Sequence, residues 1–169
     1  MASGKSSIGK KLTKKLNLSF LDLDDHIAEK EMISVPEIFK KKGEVYFRKK
    51  ETEYLNDLLH QNKDFILAVG GGTPCYGNNM ELINKNAKSI YLKASINTIY
   101  SKLSKTRNKQ KRPLISTIAN SDLKEFIAKH LFERTSYYEQ ADLTVVIDNK
   151  NKNEVVEEII NLLNLNHIS

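Results

Sequence analysis

Apolar residues in this chain recur at two spacings that alternate along its length. Ile8, Leu12 and Leu16 stand four apart with lysines on the other face, which predicts an amphipathic helix. Residues 18–21 read as a short strand that delivers the acids Asp22, Asp24 and Asp25. Ser34-Val35-Pro36-Glu37 has the form of a capping box with proline in the first turn; Ile38 and Phe39 continue the helix and Gly43 stops it. A longer helix then turns Phe47, Glu51, Tyr54, Leu55 and Leu58 inward. Residues 64–69 are nearly all apolar and bounded by polar neighbours, the pattern of a buried strand.

The second half repeats the rhythm. Residues 89–92 predict a strand, and Ser95 caps a helix with Ile96, Ile99, Tyr100 and Leu103 on one face. A helix from 122 to about 140 packs Leu123, Phe126, Ile127 and Leu131 inward, and Arg134 prolongs that stripe. Residues 143–147 are the last strand; Val155, Ile159, Leu162 and Leu163 mark a closing helix. Strands alternating with helices predict an α/β fold with a parallel sheet. The two consecutive helices after residue 34 break that alternation, as a substrate-binding insertion would.

Composition narrows the class. A length of 169 residues suits a single domain over 1–169, large enough to bury a core without disulfides or structural metal. Cys75 stands alone, so no internal disulfide framework is possible, and no charged-then-apolar leader opens the chain; the expected location is the cytoplasm. No apolar run is long enough to cross a bilayer. The net charge of +6, with 27 Lys and Arg, would suit nucleic acid, yet the lysines are scattered over helix faces without a recognition motif. Small anionic ligands fit better, with neither nucleic acid nor membrane as partner.

Residues 1–7 carry the first chemistry. Ser3-Gly4-Lys5-Ser6-Ser7 reads as the back half of a phosphate loop, G-x-x-x-x-G-K-[ST], directly before a helix whose N-terminus favours anions. The loop's first glycine would lie upstream of Met1, so the chain is expected to start inside its own motif. Asp22 and Asp24, two apart, would project to one side at a strand's carboxyl end, where ligands bind in such sheets; alternatively Asp24 or Asp25 caps a helix beginning at His26. Arg48 is either functional or a surface arginine beside Lys49 and Lys50. Gly70, Gly71 and Gly72 end a buried strand and allow close backbone approach or unusual dihedrals. Cys75 reads as a packed small residue, since no basic partner stands near it in sequence. Residues 104–117, with Lys105, Arg107, Lys109, Lys111, Arg112 and Pro113, have the composition of a lid over phosphates or of an exposed linker. Arg134, at the end of an apolar stripe, is a partly buried charge in need of an anion.

Taken together, Ser3-Gly4-Lys5-Ser6, Phe20-Leu21-Asp22-Leu23-Asp24, Gly43-Glu44-x-x-Phe47-Arg48-x-x-Glu51, Gly70-Gly71-Gly72, Arg112-Pro113-Leu114 and Arg134 with Tyr138 resemble the shikimate kinase family over nearly the whole chain. The resemblance implies ATP-dependent phosphorylation of the shikimate 3-hydroxyl, with Mg²⁺, by a monomer. It implies that Ser3, Gly4, Lys5, Ser6 and Ser7 bind ATP, that Lys5 neutralises the β- and γ-phosphates, and that Ser6 and Asp22 hold the metal, Asp22 through water. Asp24 would bind the shikimate hydroxyls and orient or deprotonate the attacking one. Arg48 and Arg134 would clamp the carboxylate, Gly70, Gly71 and Gly72 would line the pocket, and Arg112 would approach the transferring phosphoryl group. Lys150 or Lys152 would lie near adenine.

The resemblance also implies a three-layer P-loop kinase fold, a five-stranded parallel sheet in order 2-3-1-4-5, with a substrate-binding helical region near 24–60 and a lid near 104–117. The first, central strand of that order would lie upstream of residue 1, in about ten apolar residues ending in Gly-x. Two alternatives remain at this point: a related small-molecule kinase such as a gluconate kinase, and a non-catalytic relative with an incomplete phosphate loop.

Overall fold

A computed structural model describes residues 3–104 and 118–165. Helix α1 (Lys5–Leu16) buries Ile8 and Leu12 and ends at Asn17, whose left-handed backbone (φ 56°) lets its amide donate to the Thr13 carbonyl. Strand β1 (Ser19–Asp22) leads without a loop into α2 (Leu23–Glu31). Helix α3 (Val35–Leu59) is broken at Gly43, whose φ of 82° no helix contains. Its start is the anticipated capping box: the Ser34 amide and hydroxyl both donate to Glu37 Oε2, at 3.1 and 2.7 Å. Strand β2 (Phe65–Ala68) runs into a 3₁₀ turn (Thr73–Cys75) and α4 (Asn79–Asn86). Then come β3 (Ile90–Lys93), α5 (Ile96–Leu103), α6 (Leu123–Tyr138), β4 (Leu143–Val146) and α7 (Lys152–Leu165).

Among the described residues the strands form two parallel pairs. β1 lies against β2 with Ser19 opposite Phe65 and Asp22 opposite Ala68; β3 lies against β4 with Ile90 opposite Leu143. Serine–aspartate contacts bracket the second pair. Asp142 accepts from the Ser89 amide (2.8 Å) and hydroxyl (2.9 Å), and Asp148 accepts from the Ser95 amide at 3.1 Å.

The core has two parts. One joins α1, α5, α6 and α7 through Ile8, Leu12, Ile99, Leu103, Leu123, Ile127 and Ile159. The other fastens α2 to α3 and β2 through Leu23, Ile27, Ile38, Phe47, Leu55 and Leu58. Because β1 and β2 are parallel and in register, their carboxyl ends stand side by side. The acids after β1 therefore face the glycines after β2.

Several expectations need correction. The helix expected from His26 begins at Leu23, and its cap is Asp22, whose side chain accepts from the Asp24 amide at 3.2 Å. Asp22 and Asp24 are thus not alternate residues of one strand: one ends the strand and the other lies in the first helical turn. Ile96 is 37 % exposed, since the helix it opens turns only Ile99 and Leu103 fully inward. Helix α4 was not anticipated, because Met80 and Ile83 alone give too short an apolar pattern. The expected lid, beyond Ser104, and Met1 and Ala2 of the expected loop lie outside the described residues.

Candidate functional site

One end of the site is built by Gly4. Its left-handed backbone (φ 92°) turns the chain into α1, and the helical ladder starts with Ile8 N–H donating to Gly4 C=O at 3.0 Å. The amides of Lys5, Ser6 and Ser7 precede that bond and have no intrahelical acceptor. The first turn carries no acid of its own, so the positive end of the helix is left for an external anion. Ser7 Oγ donates back to the Gly4 carbonyl at 3.3 Å.

Lys5 and Ser6 meet Asp22. The Lys5 ammonium and the Ser6 hydroxyl each donate to Asp22 Oδ2 at 2.8 Å. Burial pushes the Asp22 carboxyl up, but the hydrogen bonds from Lys5 and Ser6 and the lysine charge outweigh it, and the net shift is downward. Asp22 is therefore a carboxylate at neutral pH. A serine hydroxyl beside an ionised carboxylate is the hard-oxygen pair that Mg²⁺ accepts, with its remaining positions left to water and phosphate oxygens.

Asp24, two residues on in the first turn of α2, behaves differently. Burial raises its carboxyl, Lys5 opposes that, and the charges of Asp22 and Glu51 add to the rise. It is the better proton acceptor of the two acids. A Cβ built on Gly70 would lie 3.6 Å from Asp24 Oδ1 and 3.4 Å from Glu51 Oε1, so both carboxyl groups converge on that glycine.

The glycines make room rather than unusual turns. None of the three has a positive φ. A side chain on Gly72 would meet Arg48 Nη2 at 2.6 Å, so glycine there lets the guanidinium lie on the backbone. Arg48 is held from below: its Nη1 donates to Glu51 Oε2 at 2.7 Å, and Glu51 is 1 % exposed. The other Glu51 oxygen accepts from Thr73 Oγ1 at 2.6 Å, and Asn79 Nδ2 donates to the Thr73 carbonyl at 2.9 Å.

Arg134 approaches from α6. Its charge acts on the Cys75 thiol and on the Tyr138 phenol, and the Arg48 charge also reaches Cys75. The two arginines thus flank one turn of chain. Arg48 is neutralised by Glu51, whereas no carboxylate among the described residues pairs with Arg134. Cys75 has the basic neighbours that its sequence context did not show. Burial still dominates and pushes the thiol up, so it stays protonated.

The fold therefore assembles Gly4, Lys5, Ser6 and Asp22 at one end, and Asp24, Arg48, Gly70, Gly71, Gly72 and Arg134 at the other. Ser3 lies in the expected loop just ahead of Gly4, and its side chain forms no hydrogen bond among the described residues. Arg112 lies outside those residues. Lys150 is held by Glu158 at 2.5 Å, and Lys152 opens α7. Sequence reasoning assigned no role to Glu51, Thr73, Asn79 or Tyr138. An acid within the apolar stripe Phe47, Leu55, Leu58 was the available signal for Glu51; nothing local marked Thr73 or Asn79.

Comparison with known proteins gives one answer. The family model for shikimate kinase matches residues 1–164. A shikimate kinase of Flavobacterium psychrophilum is 49 % identical over 164 residues, covering 96 % of this chain and 94 % of the relative. That of Flavobacterium johnsoniae is 46 % identical with the same coverage. Among solved structures, shikimate kinase from Bacteroides thetaiotaomicron superposes with a TM-score of 0.87 at 30 % identity, covering 97 % of this chain and 94 % of that one. Shikimate kinase from Acinetobacter baumannii, in complex with shikimate, gives 0.88 at 29 %, covering 100 % and 91 %.

Proposed function

This chain belongs to the shikimate kinase family, and from that premise we propose how its residues divide the work. The protein is a shikimate kinase, an enzyme that transfers a phosphoryl group from ATP to shikimate. One observation carries the assignment of roles: the parallel register of β1 and β2 sets the Lys5–Ser6–Asp22 cluster beside Asp24, Gly70 and Arg48.

The amides of residues 4–7 cradle the triphosphate at the start of α1. Lys5 would turn from Asp22 to the β- and γ-phosphates, and Ser6 and Asp22 would hold Mg²⁺, Asp22 through water. Mg²⁺ supplies charge neutralisation of the phosphate oxygens. Phosphoryl transfer requires little covalent chemistry from the protein, so positioning and electrostatics supply most of the acceleration. Asp24 accepts the hydrogen bond of the attacking 3-hydroxyl and takes its proton as the bond to phosphorus forms. Its raised basicity and its place two residues from Asp22 support that role.

Arg134 and Arg48 receive the shikimate carboxylate over Gly70–Gly72. Guanidinium groups give directional, charge-assisted bonds that lysine would not. Arg112 completes the phosphate site from a basic lid at 104–117, and Lys150 or Lys152 lies near adenine; sequence alone supports these two assignments.

We read the sheet as five-stranded. Strands β2 and β3 each have one edge unpaired among the described residues, and Ile66, Ile90 and Leu92 pack against the same apolar cluster. A central parallel strand between them gives the order 2-3-1-4-5. The working unit is a single domain acting as a cytoplasmic monomer on two small molecules, without a nucleic-acid partner. No described helix is long and apolar enough to cross a membrane.

The direct test is ADP release with Mg·ATP, with and without shikimate, from this chain and from a version extended upstream by an apolar strand ending in Gly-x. Shikimate-dependent turnover that Asp24→Asn removes supports the assignment. Turnover unaffected by Asp24→Asn would overturn it.

A further inference from the structure

The glycine turn is braced from two helices, one for each arginine. On the α3 side, Glu51 holds Arg48 Nη1 at 2.7 Å and Thr73 Oγ1 at 2.6 Å, and Thr73 N–H closes the turn onto the Gly70 carbonyl at 3.1 Å. On the α6 side, the Tyr138 hydroxyl donates to the Gly71 carbonyl at 2.5 Å. The Cys75 thiol reaches the same carbonyl at 3.7 Å. Tyr138 is one helical turn beyond Arg134 and on the same face, and its ring leans on Tyr91 with centroids 5.1 Å apart. The last turn of α6 therefore cannot shift along its axis without moving Gly71.

Given the carboxylate clamp proposed above, on which this inference rests, we propose that Tyr138 is a positioning residue for substrate recognition. Its hydroxyl fixes the Gly71 carbonyl to α6 and so sets Arg134 at a constant offset from Arg48, whose own position Glu51 fixes through the same turn. The two cations are then spaced for one carboxylate before substrate arrives. Preorganisation of this kind appears as affinity, because the cost of aligning the clamp is met on folding. Burial pushes the Tyr138 phenol up, so it remains a neutral donor throughout the working pH range.

The variant Tyr138→Phe removes only the hydroxyl and keeps the ring against Tyr91. The expected result is a shikimate KM raised about five- to tenfold, as for the loss of one hydrogen bond, with the ATP KM within about twofold of the parent. The change should vanish in an Arg134→Ala background, because without the guanidinium there is no offset to maintain. An unchanged shikimate KM, an equal rise for both substrates, or an undiminished effect in the Arg134→Ala background would each overturn the proposal. If Arg134→Ala alone leaves the shikimate KM unchanged, the clamp itself is wrong, which is a separate outcome from failure of the Tyr138 role.

Discussion

Lys5 Nζ lies 2.8 Å from Asp22 Oδ2, bridging the start of α1 and the end of β1, and the Ser6 hydroxyl reaches the same oxygen at the same distance. Without nucleotide the pair is self-compensating: the lysine charge has a partner, and the carboxylate is kept ionised. On the proposed assignment, nucleotide would offer Lys5 a more highly charged partner and would free Asp22 for Mg²⁺.

Substitution at Asp22 should therefore show first in the metal dependence. Asp22→Asn keeps the shape but removes the charge, and the Mg²⁺ concentration for half-maximal rate should rise on the order of tenfold, within the range seen when groups supporting a metal are removed. Titration of the initial rate with MgCl₂ at fixed total ATP measures this. An unchanged Mg²⁺ requirement would remove Asp22 from the metal site.

Asp24 should trade stability for activity. Its carboxyl is raised chiefly by burial, so ionising it opposes folding, and its contribution to stability falls as pH rises through its folded pKa. Asp24→Asn is expected to melt above the parent at neutral pH while kcat falls about 10²–10⁴-fold. The acid limb of the parent's kcat/KM profile should lie above the ordinary aspartate value and disappear in the variant. Thermal melts and a pH–rate series decide both points.

The clamp arginines should differ in what their loss does. Arg134 has no carboxylate partner among the described residues, so Arg134→Ala should weaken shikimate binding by about 2–5 kcal/mol and leave the fold intact. Arg48→Ala removes the partner of Glu51, a carboxylate 1 % exposed, and should lower the melting temperature as well. Gly72→Ala is the finer probe: its methyl would displace the Arg48 guanidinium, raising the shikimate KM with ATP affinity unchanged. Binding calorimetry and melts on the three variants separate these effects.

The division between what the sequence showed and what it hid is physical. Ile8, Leu12, Phe47, Leu55 and Ile127 declared their helices because a period of 3.6 is a property of neighbours. The capping box at Ser34 was readable for the same reason. Asp22, Asp24, Arg48 and the glycines could be named from a motif, but their meeting depends on which strands pair, and that is set by the β1–β2 register. Glu51, Thr73 and Tyr138 act across separations of 22 and 67 residues, Thr73 to Glu51 and Tyr138 to Gly71, and nothing beside them in sequence announces their partners. Asp22 was misread as one of two alternating strand acids because the strand ends on it and its side chain caps the next helix.

The helical region that carries Arg48 should open in acid through Glu31. This residue ends α2, and its carboxylate accepts from Tyr46 Oη at 2.8 Å, Lys42 Nζ at 2.9 Å and Tyr54 Oη at 2.9 Å, all on α3. Hydrogen bonds from Lys42 and Tyr46 hold its pKa at about 2, against 4.5 for an ordinary glutamate. A depressed acid contributes stability that is present above its unfolded value and is lost as pH falls from about 4.5 toward 2. The contribution is about 2 kcal/mol, less than the shift alone would give, because Lys42 is 39 % exposed and water screens the pair. Glu31→Gln should therefore cost about that much in urea unfolding at pH 7, and the difference from the parent should shrink as pH falls below about 4.5 and approach zero only below about pH 2. The shikimate KM should rise in parallel in the acid limb, since α3 holds Arg48. A parent and variant that lose stability with the same pH dependence would show that Glu31 does not hold α2 to α3.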